Sequence, residues 1–261
     1  MNRNRTTSSV IVGIDGSEAA VQAALWAADE AVAREVPLRL IAVTEARHQS
    51  ADDYYDDVHR AEDAVYAARA AVEESGKPVE VETAIIDGPP GAALVSESDY
   101  AALLCVGSVG IRRFARSILG STSIEVAENA RCPVAIIRAR SDEPTDTISW
   151  ILVAANGTAE DRPILEMATR EAKLRNAPVL IVGQRDDLES DADDLRRSNP
   201  GIRVYPVRDG ADVAAFLKRQ DEYVQLAVIG GSEIARLPAI LGPQGRHRFR
   251  HAQSSVLVVR P

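Results

Sequence analysis

The sequence predicts an α/β fold made of two tandem copies of one unit, each with a five-stranded parallel sheet and helices on both faces. Three observations support this prediction. Short apolar runs alternate with Ala-rich helical stretches, which is typical of parallel strands covered by helices. Hydrophobic residues make up 46% of the chain and aromatic residues only 4%, so the core consists mainly of small aliphatic side chains. The opening pattern then recurs halfway along the chain.

The first unit is predicted to alternate five strands with four helices. Its strands are apolar or β-branched runs at residues 10–14, 38–43, 79–86, 103–107 and 132–138. Its helices cover residues 19–35, 61–74 and 92–100, and a fourth opens near residue 122. Ser17 is a suitable N-cap for the first helix, and Pro37 ends it. These signals describe successive strand–helix–strand units.

The stretch between the second strand and the second helix, residues 44–57, is polar and acidic. Pairs of aspartates flank Tyr54 and Tyr55 there. We expect a solvated loop that leads into the helix. A divalent-metal site is the less favoured alternative, because no ligand spacing repeats in this stretch.

After a short polar linker at residues 141–145, the pattern starts again. Residues 151–158 mirror residues 10–17, and residues 177–182 mirror residues 36–41. The two last strands of the first unit also have counterparts near the end of the chain, at residues 227–231 and 254–260. We therefore predict two domains, residues 1–141 and 146–261. The repeat is too long for a solenoid.

A glycine-rich stretch follows the fourth strand of the first unit. Gly107 and Gly110 are followed, after nine intervening residues, by Gly120. The spacing of Thr122 and Glu125 is that of a capping box, which predicts the start of a helix there. Glycines let backbone amides approach an anion closely, and a helix start adds N–H groups and a favourable dipole. We interpret the stretch as a phosphate-binding loop.

The position of this loop in the sheet indicates a nucleotide. Ligands of open parallel sheets lie beyond the carboxyl ends of the strands, where the strand order reverses. With strand order 3-2-1-4-5, the first and fourth strands are neighbours, so Asp15 and Gly107 face one crevice. Asp15 can accept hydrogen bonds from ribose hydroxyls or hold a phosphate-bound cation. The alternative is that Asp15 only caps the first helix.

These motifs, in this order, resemble the universal stress protein family in its tandem two-domain form. The resemblance covers nearly the whole chain. The nucleotide signature of the family is Gly-x2-Gly-x9-Gly-(Ser/Thr), and it is met by Gly107, Gly110, Gly120 and Ser121. The opening Asp15-Gly16-Ser17 and the closing Cys132-Pro133-Val134 also resemble the family. The resemblance implies a Rossmann-like (HUP-type) fold and an ATP-binding, stress-responsive regulatory protein, usually dimeric.

On matching positions, the resemblance also implies the site residues. Gly13 and Asp15 line the nucleoside end of the site, and Val43 contacts adenine. The ribose and phosphates are held by Gly107, Val109, Gly110, Gly120, Ser121 and Thr122. Mg²⁺ accompanies the phosphates, with no separate metal site on the protein.

The loop departs from the family pattern just after its second glycine. Family members often carry further glycines where this chain has Ile111, Arg112 and Arg113. Side chains there restrict the approach of the loop to phosphate, but Arg112, Arg113 or Arg116 is also suited to pair with phosphate oxygens. A basic solvated loop is the alternative.

The second copy has lost most of the signature. Asn156 replaces Asp15, so that carboxylate is missing. The stretch 230–233 lacks the second glycine, and Gly242-Pro243 replaces Gly120-Ser121. Proline contributes neither a hydroxyl nor an N–H group. We predict that the second unit binds no nucleotide, or binds it weakly.

Charge and composition limit the partners. A net charge of −9 argues against nucleic acid, and no stretch is long and apolar enough for a signal peptide or a membrane span. We expect a cytoplasmic protein with an adenine nucleotide and an unknown protein as partners. Pairing of the exposed edge strands of the two units would give an intrachain pseudo-dimer, and a homodimer is a further option.

Enzymatic activity is not expected. The chain lacks the P-loop pattern Gly-x4-Gly-Lys-(Ser/Thr), and Asp15 is its only evident candidate for a general base beside the loop. The alternatives are a slow ATP-hydrolysing enzyme, a protein that binds AMP or cyclic AMP, and a purely structural partner-binding protein. AMP and cyclic AMP remain alternatives because a site for adenine and ribose does not require three phosphates.

Overall fold

The computed structural model describes residues 8–45, 49–110, 119–139, 148–208, 213–219, 223–241 and 254–260. The chain divides into two compact units, Met1–Ala139 and Arg140–Pro261. Arg113 and Arg116 of the predicted phosphate loop lie outside the described residues, as do Gly242 and Pro243 of the second unit.

The first unit has the predicted five-stranded parallel sheet. Its strands are β1 (Ser9–Ile14), β2 (Leu38–Thr44), β3 (Val81–Asp87), β4 (Ala101–Gly107) and β5 (Val134–Ile137). Its helices are α1 (Glu18–Arg34), α2 (Ala51–Glu74), α3 (Pro90–Glu97) and α4 (Ser121–Asn129), and a 3₁₀ turn covers Ser98–Tyr100. The strand order is β3-β2-β1-β4-β5, with every pair parallel. The predicted order 3-2-1-4-5 is confirmed.

The four helices cover the two faces of this sheet in pairs. Helices α1 and α2 pack against each other, and so do α3 and α4, as right-handed crossovers in this strand order require. The face of α1 that meets the sheet is lined by alanines, including the fully buried Ala23, Ala24 and Ala27. Small side chains allow the helix backbone to approach the strands closely.

Helix α1 begins as the sequence predicts. The Ser17 hydroxyl accepts a hydrogen bond from the Ala20 N–H at 3.2 Å, which satisfies one of the unpaired donors of the first turn. The preceding turn contains Gly16 with φ +81°, a conformation that is costly for residues with a Cβ atom.

Within the stretch 44–57, the prediction of a loop is wrong from Ala51 onwards. Helix α2 already begins at Ala51, and the Ser50 hydroxyl caps it by accepting the Asp53 N–H at 3.1 Å. Aspartates in a first helical turn interact favourably with the helix dipole. The buried face of α2 begins only at Ala61. The preceding turns carry no apolar periodicity, and for this reason the helix was not predicted there.

The second unit repeats the same architecture. Its strands are β6 (Trp150–Ala154), β7 (Val179–Gly183), β8 (Val204–Arg208), β9 (Val224–Ile229) and β10 (Ser255–Val258). Its helices are α5 (Asp161–Leu174), α6 (Leu188–Ser198), α7 (Val213–Arg219) and α8 (Leu237–Leu241), with a 3₁₀ segment at Gly231–Arg236. The strand order within the unit is β10-β9-β6-β7-β8, with all pairs parallel.

A buried ion pair recurs at matching positions of the two units. In α1, Glu30 is fully buried and pairs with Arg34 one turn later. In α5, Glu171 is fully buried and pairs with Arg175 at 3.0 Å. The recurrence shows that the two copies share specific interior contacts as well as the order of their strands.

Candidate functional site

The crevice of the first unit lies at the carboxyl ends of β1 and β4. These strands are neighbours, with Gly13 paired to Val106. Asp15, which follows β1, and the loop that starts at Gly107 therefore emerge side by side. Because β1 also pairs with β2, and the last pair is Ile14 with Ala42, Val43 stands next to Asp15 in the same register.

Asp15 lies directly against the second glycine of the loop. One carboxylate oxygen accepts the Ser17 N–H at 3.0 Å. The other lies where a Cβ atom on Gly110 would be, so any side chain at that position would overlap the carboxylate. Asp15 therefore helps to shape the turn before α1 and also contacts the glycine loop. The N-cap residue of α1 is Ser17, not Asp15, and the contact of Asp15 with a ligand stays a prediction.

Gly107 is required by packing. A Cβ atom at this position would lie 2.8 Å from the Ala19 carbonyl carbon and 2.9 Å from the Ala20 nitrogen. Both are backbone atoms of the first turn of α1, which cannot move aside as a side chain can. Gly107 thus lets the end of β4 pass close to the start of α1.

The two ends of the loop are held together by hydrogen bonds. The Gly120 N–H donates to the Ser108 carbonyl at 2.9 Å, and the Ser123 hydroxyl donates to the Gly107 carbonyl at 2.8 Å. A Cβ atom on Gly120 would lie 3.9 Å from the Gly110 nitrogen. The last glycine of the signature therefore lies beside the second one, and the segment between them, residues 111–118, is outside the described residues.

Helix α4 starts at this junction, with Gly120 as its N-cap residue. Within the part of the chain that the structure describes, this helix start has no side-chain cap hydrogen bond, and its first turn contains no acidic residue. Ser121 is exposed and Thr122 is half-buried. The N–H groups and the positive dipole end of α4 thus face the crevice without an internal carboxylate, a suitable arrangement for binding an anion.

The predicted capping box in this helix is wrong. Thr122 lies inside the first turn, because the bond between Gly120 and Ser108 fixes the start of the helix two residues earlier. Glu125 does not fold back onto the helix start. Its side chain packs instead against Gly91 of α3, where a Cβ atom would overlap it.

The remaining predicted residues differ in their exposure. A Cβ atom on Gly13 would lie 2.7 Å from Leu94 Cδ1, so this glycine makes room for α3. Val43 is half-buried at the carboxyl edge. Val109 is 6% exposed, so its side chain belongs to the core and only its backbone is available to a ligand.

Ser108 and Ser123 are two residues that the sequence interpretation missed. Both are buried. Ser108 connects the loop to β5 through its N–H, which donates to the Ile137 carbonyl at 2.8 Å. Ser123 ties α4 to the end of β4 through its hydroxyl. Ser108 lies in the stretch Gly107–Gly110 and Ser123 in the stretch Gly120–Ser123, and neither stretch indicates the hydrogen bonds that these serines make.

Comparisons with known proteins agree with this geometry. Residues 7–138 match the family model of the universal stress protein family. Universal stress protein Rv2624c of Mycobacterium tuberculosis (strain ATCC 25618 / H37Rv) is 48% identical over 264 residues, which cover 98% of this chain and 97% of that protein. The chain belongs to the universal stress protein family. The resemblance inferred from the sequence is therefore confirmed.

Further relatives extend this result to both units of the universal stress protein. Universal stress protein Rv2028c of the same organism is 35% identical over 277 residues, covering 99% of this chain and 98% of that protein. The crystal structure of a universal stress protein from Archaeoglobus fulgidus DSM 4304 superimposes with a TM-score of 0.73 at 17% identity, covering 98% of this chain and 97% of the other. This structural likeness shows the shared fold.

The second unit of this universal stress protein has different side chains around the matching crevice. Asn156 stands at the position of Asp15, and Gln184 at that of Val43. The loop after β9 runs directly into the 3₁₀ segment Gly231–Arg236. A charged side chain, Arg185, follows β7 and contacts three aspartates.

The electrostatics of this second crevice follow from that contact. A hydrogen bond from the guanidinium to Asp187 raises the pKa of Arg185, and the neighbouring carboxylates add to the effect. Burial raises the pKa of Asp191, while the charge of Arg185 acts in the opposite direction. Arg185 is therefore firmly held as a cation among carboxylates.

Among the helices that the structure describes, none combines the length and the apolar character needed to cross a membrane. Within the same residues there is no cluster of three or more histidine, cysteine or acidic side chains arranged to hold a metal ion.

Proposed function

We propose that the first unit binds an adenine nucleotide, with ATP as the leading ligand, and that the protein acts as a nucleotide-binding regulator in a stress response. One observation carries the proposal. The glycine loop closes on itself through Gly120 and Ser108 at the uncapped start of α4, and Asp15 stands over its second glycine. Membership of the universal stress protein family supports the same function.

The geometry suggests a role for each part of the site. Phosphate oxygens accept hydrogen bonds from the N–H groups at the start of α4 and from the exposed hydroxyl of Ser121. Asp15 accepts from ribose hydroxyls, and Val43 offers an apolar contact to adenine. Mg²⁺, when it accompanies the phosphates, neutralises part of their charge and takes its ligands mainly from them and from water.

The proposed role is regulatory rather than catalytic. In the described part of the crevice, Asp15 is the carboxylate that faces the loop, and it already accepts the Ser17 N–H. A general base needs a free acceptor within reach of the attacking water, whereas in the proposed site the remaining acceptor capacity of Asp15 is taken by the ribose hydroxyls. AMP and cyclic AMP are alternative ligands of the same site, because their adenine and ribose require the same contacts.

The experiment is equilibrium binding to the purified full-length chain. Isothermal titration with ATP, AMP and cyclic AMP, each with and without Mg²⁺, measures the affinity and the number of sites. We expect one nucleotide per chain, and loss of binding in Gly110→Ala. Mass spectrometry of ligand released from fresh protein identifies the natural nucleotide.

A turnover assay on the same material separates the regulatory role from the enzymatic one. Asp15→Asn is the matched variant, because it keeps the size and the acceptor oxygen of the side chain but removes its charge. Multiple turnovers that disappear in Asp15→Asn would establish an enzyme instead. Absence of any adenine-nucleotide binding would refute the proposal.

A further inference from the structure

The second unit keeps the backbone of the crevice but changes the charge of its side chains. Gly157 has φ +79°, close to the +81° of Gly16 at the matching turn. In the first unit Gly13 pairs with Ile41, and in the second Ala154 pairs with Val182. These equivalent pairs define the alignment of the two units. On this alignment Glu160, Asp161 and Arg185 replace Ala19, Ala20 and Thr44, respectively. Three small or neutral residues have become charged.

Asp161 already occupies the donors of the strand–helix turn. One of its carboxylate oxygens accepts the Gly157 N–H at 2.7 Å, and the other accepts the Thr158 hydroxyl at 2.8 Å. In the first unit the matching hydroxyl, on Ser17, acts as an acceptor for the helix. Asp161 is 8% exposed. The turn thus holds an anionic group that belongs to the protein itself.

Arg185 lies across the same turn. A Cβ atom on Gly157 would be 3.0 Å from Arg185 Cδ, so the side chain covers the glycine. Its Nη1 atom is 3.7 Å from an Asp161 carboxylate oxygen and 3.6 Å from one of Asp191. The guanidinium also pairs with Asp187. These contacts hold Arg185 over the mouth of the crevice.

Glu160 covers the other side of the crevice, where β9 ends. Its Oε2 atom accepts the Ser232 hydroxyl at 3.0 Å, and a Cβ atom on Gly230 would lie 2.5 Å from that oxygen. In the first unit Ala19 occupies the matching place against Gly107. A carboxylate therefore lies at the strand end where the first unit begins its glycine loop.

We infer that Glu160, Asp161 and Arg185 form a built-in substitute for a ligand that closes the crevice of the second unit to anions. The two carboxylates compensate the positive end of α5 and repel a phosphate, and Arg185 fills the space between them. The chain therefore offers one nucleotide site, in its first unit. The conclusion that the chain has one nucleotide site rests on the proposed function of the first unit. The closed crevice itself concerns the second unit alone.

The experiment is an amide NMR titration of the full-length chain, in which the amide signals of each unit report on its own crevice. In the wild type, ATP with Mg²⁺ is expected to shift the amides of Gly107, Gly110 and Gly120 and to leave those of Gly157 and Gly230 in place. In the variant Glu160→Ala/Asp161→Ala/Arg185→Thr, which carries the first-unit residues, inorganic phosphate is expected to shift the amides of Gly157 and Gly230. The affinity for phosphate should be at least about tenfold higher than in the wild type.

A second variant, with smaller changes, provides the test if the triple variant does not fold. Glu160→Gln/Asp161→Asn keeps the size and the acceptor oxygens but removes both negative charges, and we expect it to show the same shifts at higher phosphate concentrations. Wild-type shifts of Gly157 and Gly230 by ATP, or the absence of phosphate shifts in the folded variants, would overturn the inference. If ATP does not shift the amides of the three first-unit glycines, the proposed function is refuted. The phosphate titration of the second unit still tests the inference in that case.

Discussion

Replacement of Gly107 by alanine tests whether this glycine is required by packing or by the ligand. The added Cβ atom would lie 2.8–2.9 Å from atoms of Ala19 and Ala20 in the first turn of α1. Carbon atoms in contact prefer about 3.5–4.0 Å. Strand β4 and helix α1 must therefore separate by about 0.7 Å, and the atoms that have to move belong to the backbone.

The expected result is a less stable protein. Forcing one methyl group into a packed interior costs about 1–3 kcal/mol. A loss of 2 kcal/mol corresponds to a decrease in Tm of roughly 5–10 °C for a unit of this size. Because the start of α1 also positions the turn that contains Asp15, nucleotide affinity should fall together with stability.

The assay combines urea unfolding, thermal unfolding and nucleotide titration. Gly120→Ala is the matched control, because its Cβ atom would make ordinary contacts at 3.5 and 3.7 Å and its φ is −72°. The control should lose less than about 1 kcal/mol, the usual effect of a changed N-cap. An unfolding midpoint for Gly107→Ala equal to that of the wild type would refute the packing argument.

Three further predictions follow from other contacts. Gly110→Ala should fold with nearly wild-type stability but lose nucleotide binding, because the Asp15 carboxylate is what its methyl group meets among the described residues; loss of stability without loss of binding in titration would contradict this. Glu30→Ala should destabilise the protein by about 3–5 kcal/mol, since it leaves a buried arginine without its carboxylate, whereas Glu73→Ala, in an exposed pair, should cost less than about 1 kcal/mol in urea unfolding. Asp191→Asn should raise Tm slightly at neutral pH because burial raises the pKa of that carboxyl. The gain in Tm should vanish as pH falls through the raised pKa, because the wild-type carboxyl then becomes neutral as well. A gain in Tm that grows towards low pH would show that the pKa of Asp191 is lowered instead of raised.

Local sequence signals predicted the parts of the site that depend on short-range physics. The Ser17 cap and the glycine loop after β4 both follow from a few adjacent residues. The first turns of α2 were missed because residues 51–60 contact solvent and therefore carry no apolar period.

Other features depend on contacts between residues far apart in sequence. The start of α4 is set by the Ser108 carbonyl, which no spacing between Thr122 and Glu125 reveals. The pairing of Glu30 with Arg34 is visible as an i, i+4 spacing, but its burial depends on the tertiary structure. The position of Arg185 over Gly157 likewise requires two strands to be placed next to each other.

The glycines of the signature have different physical roles. Gly107 is required for packing, whereas Gly110 is expected to serve ligand binding. The second unit keeps Gly230 at the position of Gly107, at a strand end where the side chains of Glu160 and Ile164 lie close. It has no counterpart of Gly110, and Asn156 replaces the carboxylate that contacts that glycine. A glycine present in both copies is explained by packing alone. Gly110 and Asp15 contact each other in the first unit and are absent together from the second. The ligand function should therefore depend on this pair. Gly110→Ala should lose nucleotide binding while it stays stable, whereas Gly107→Ala should lose stability and, as a consequence, affinity.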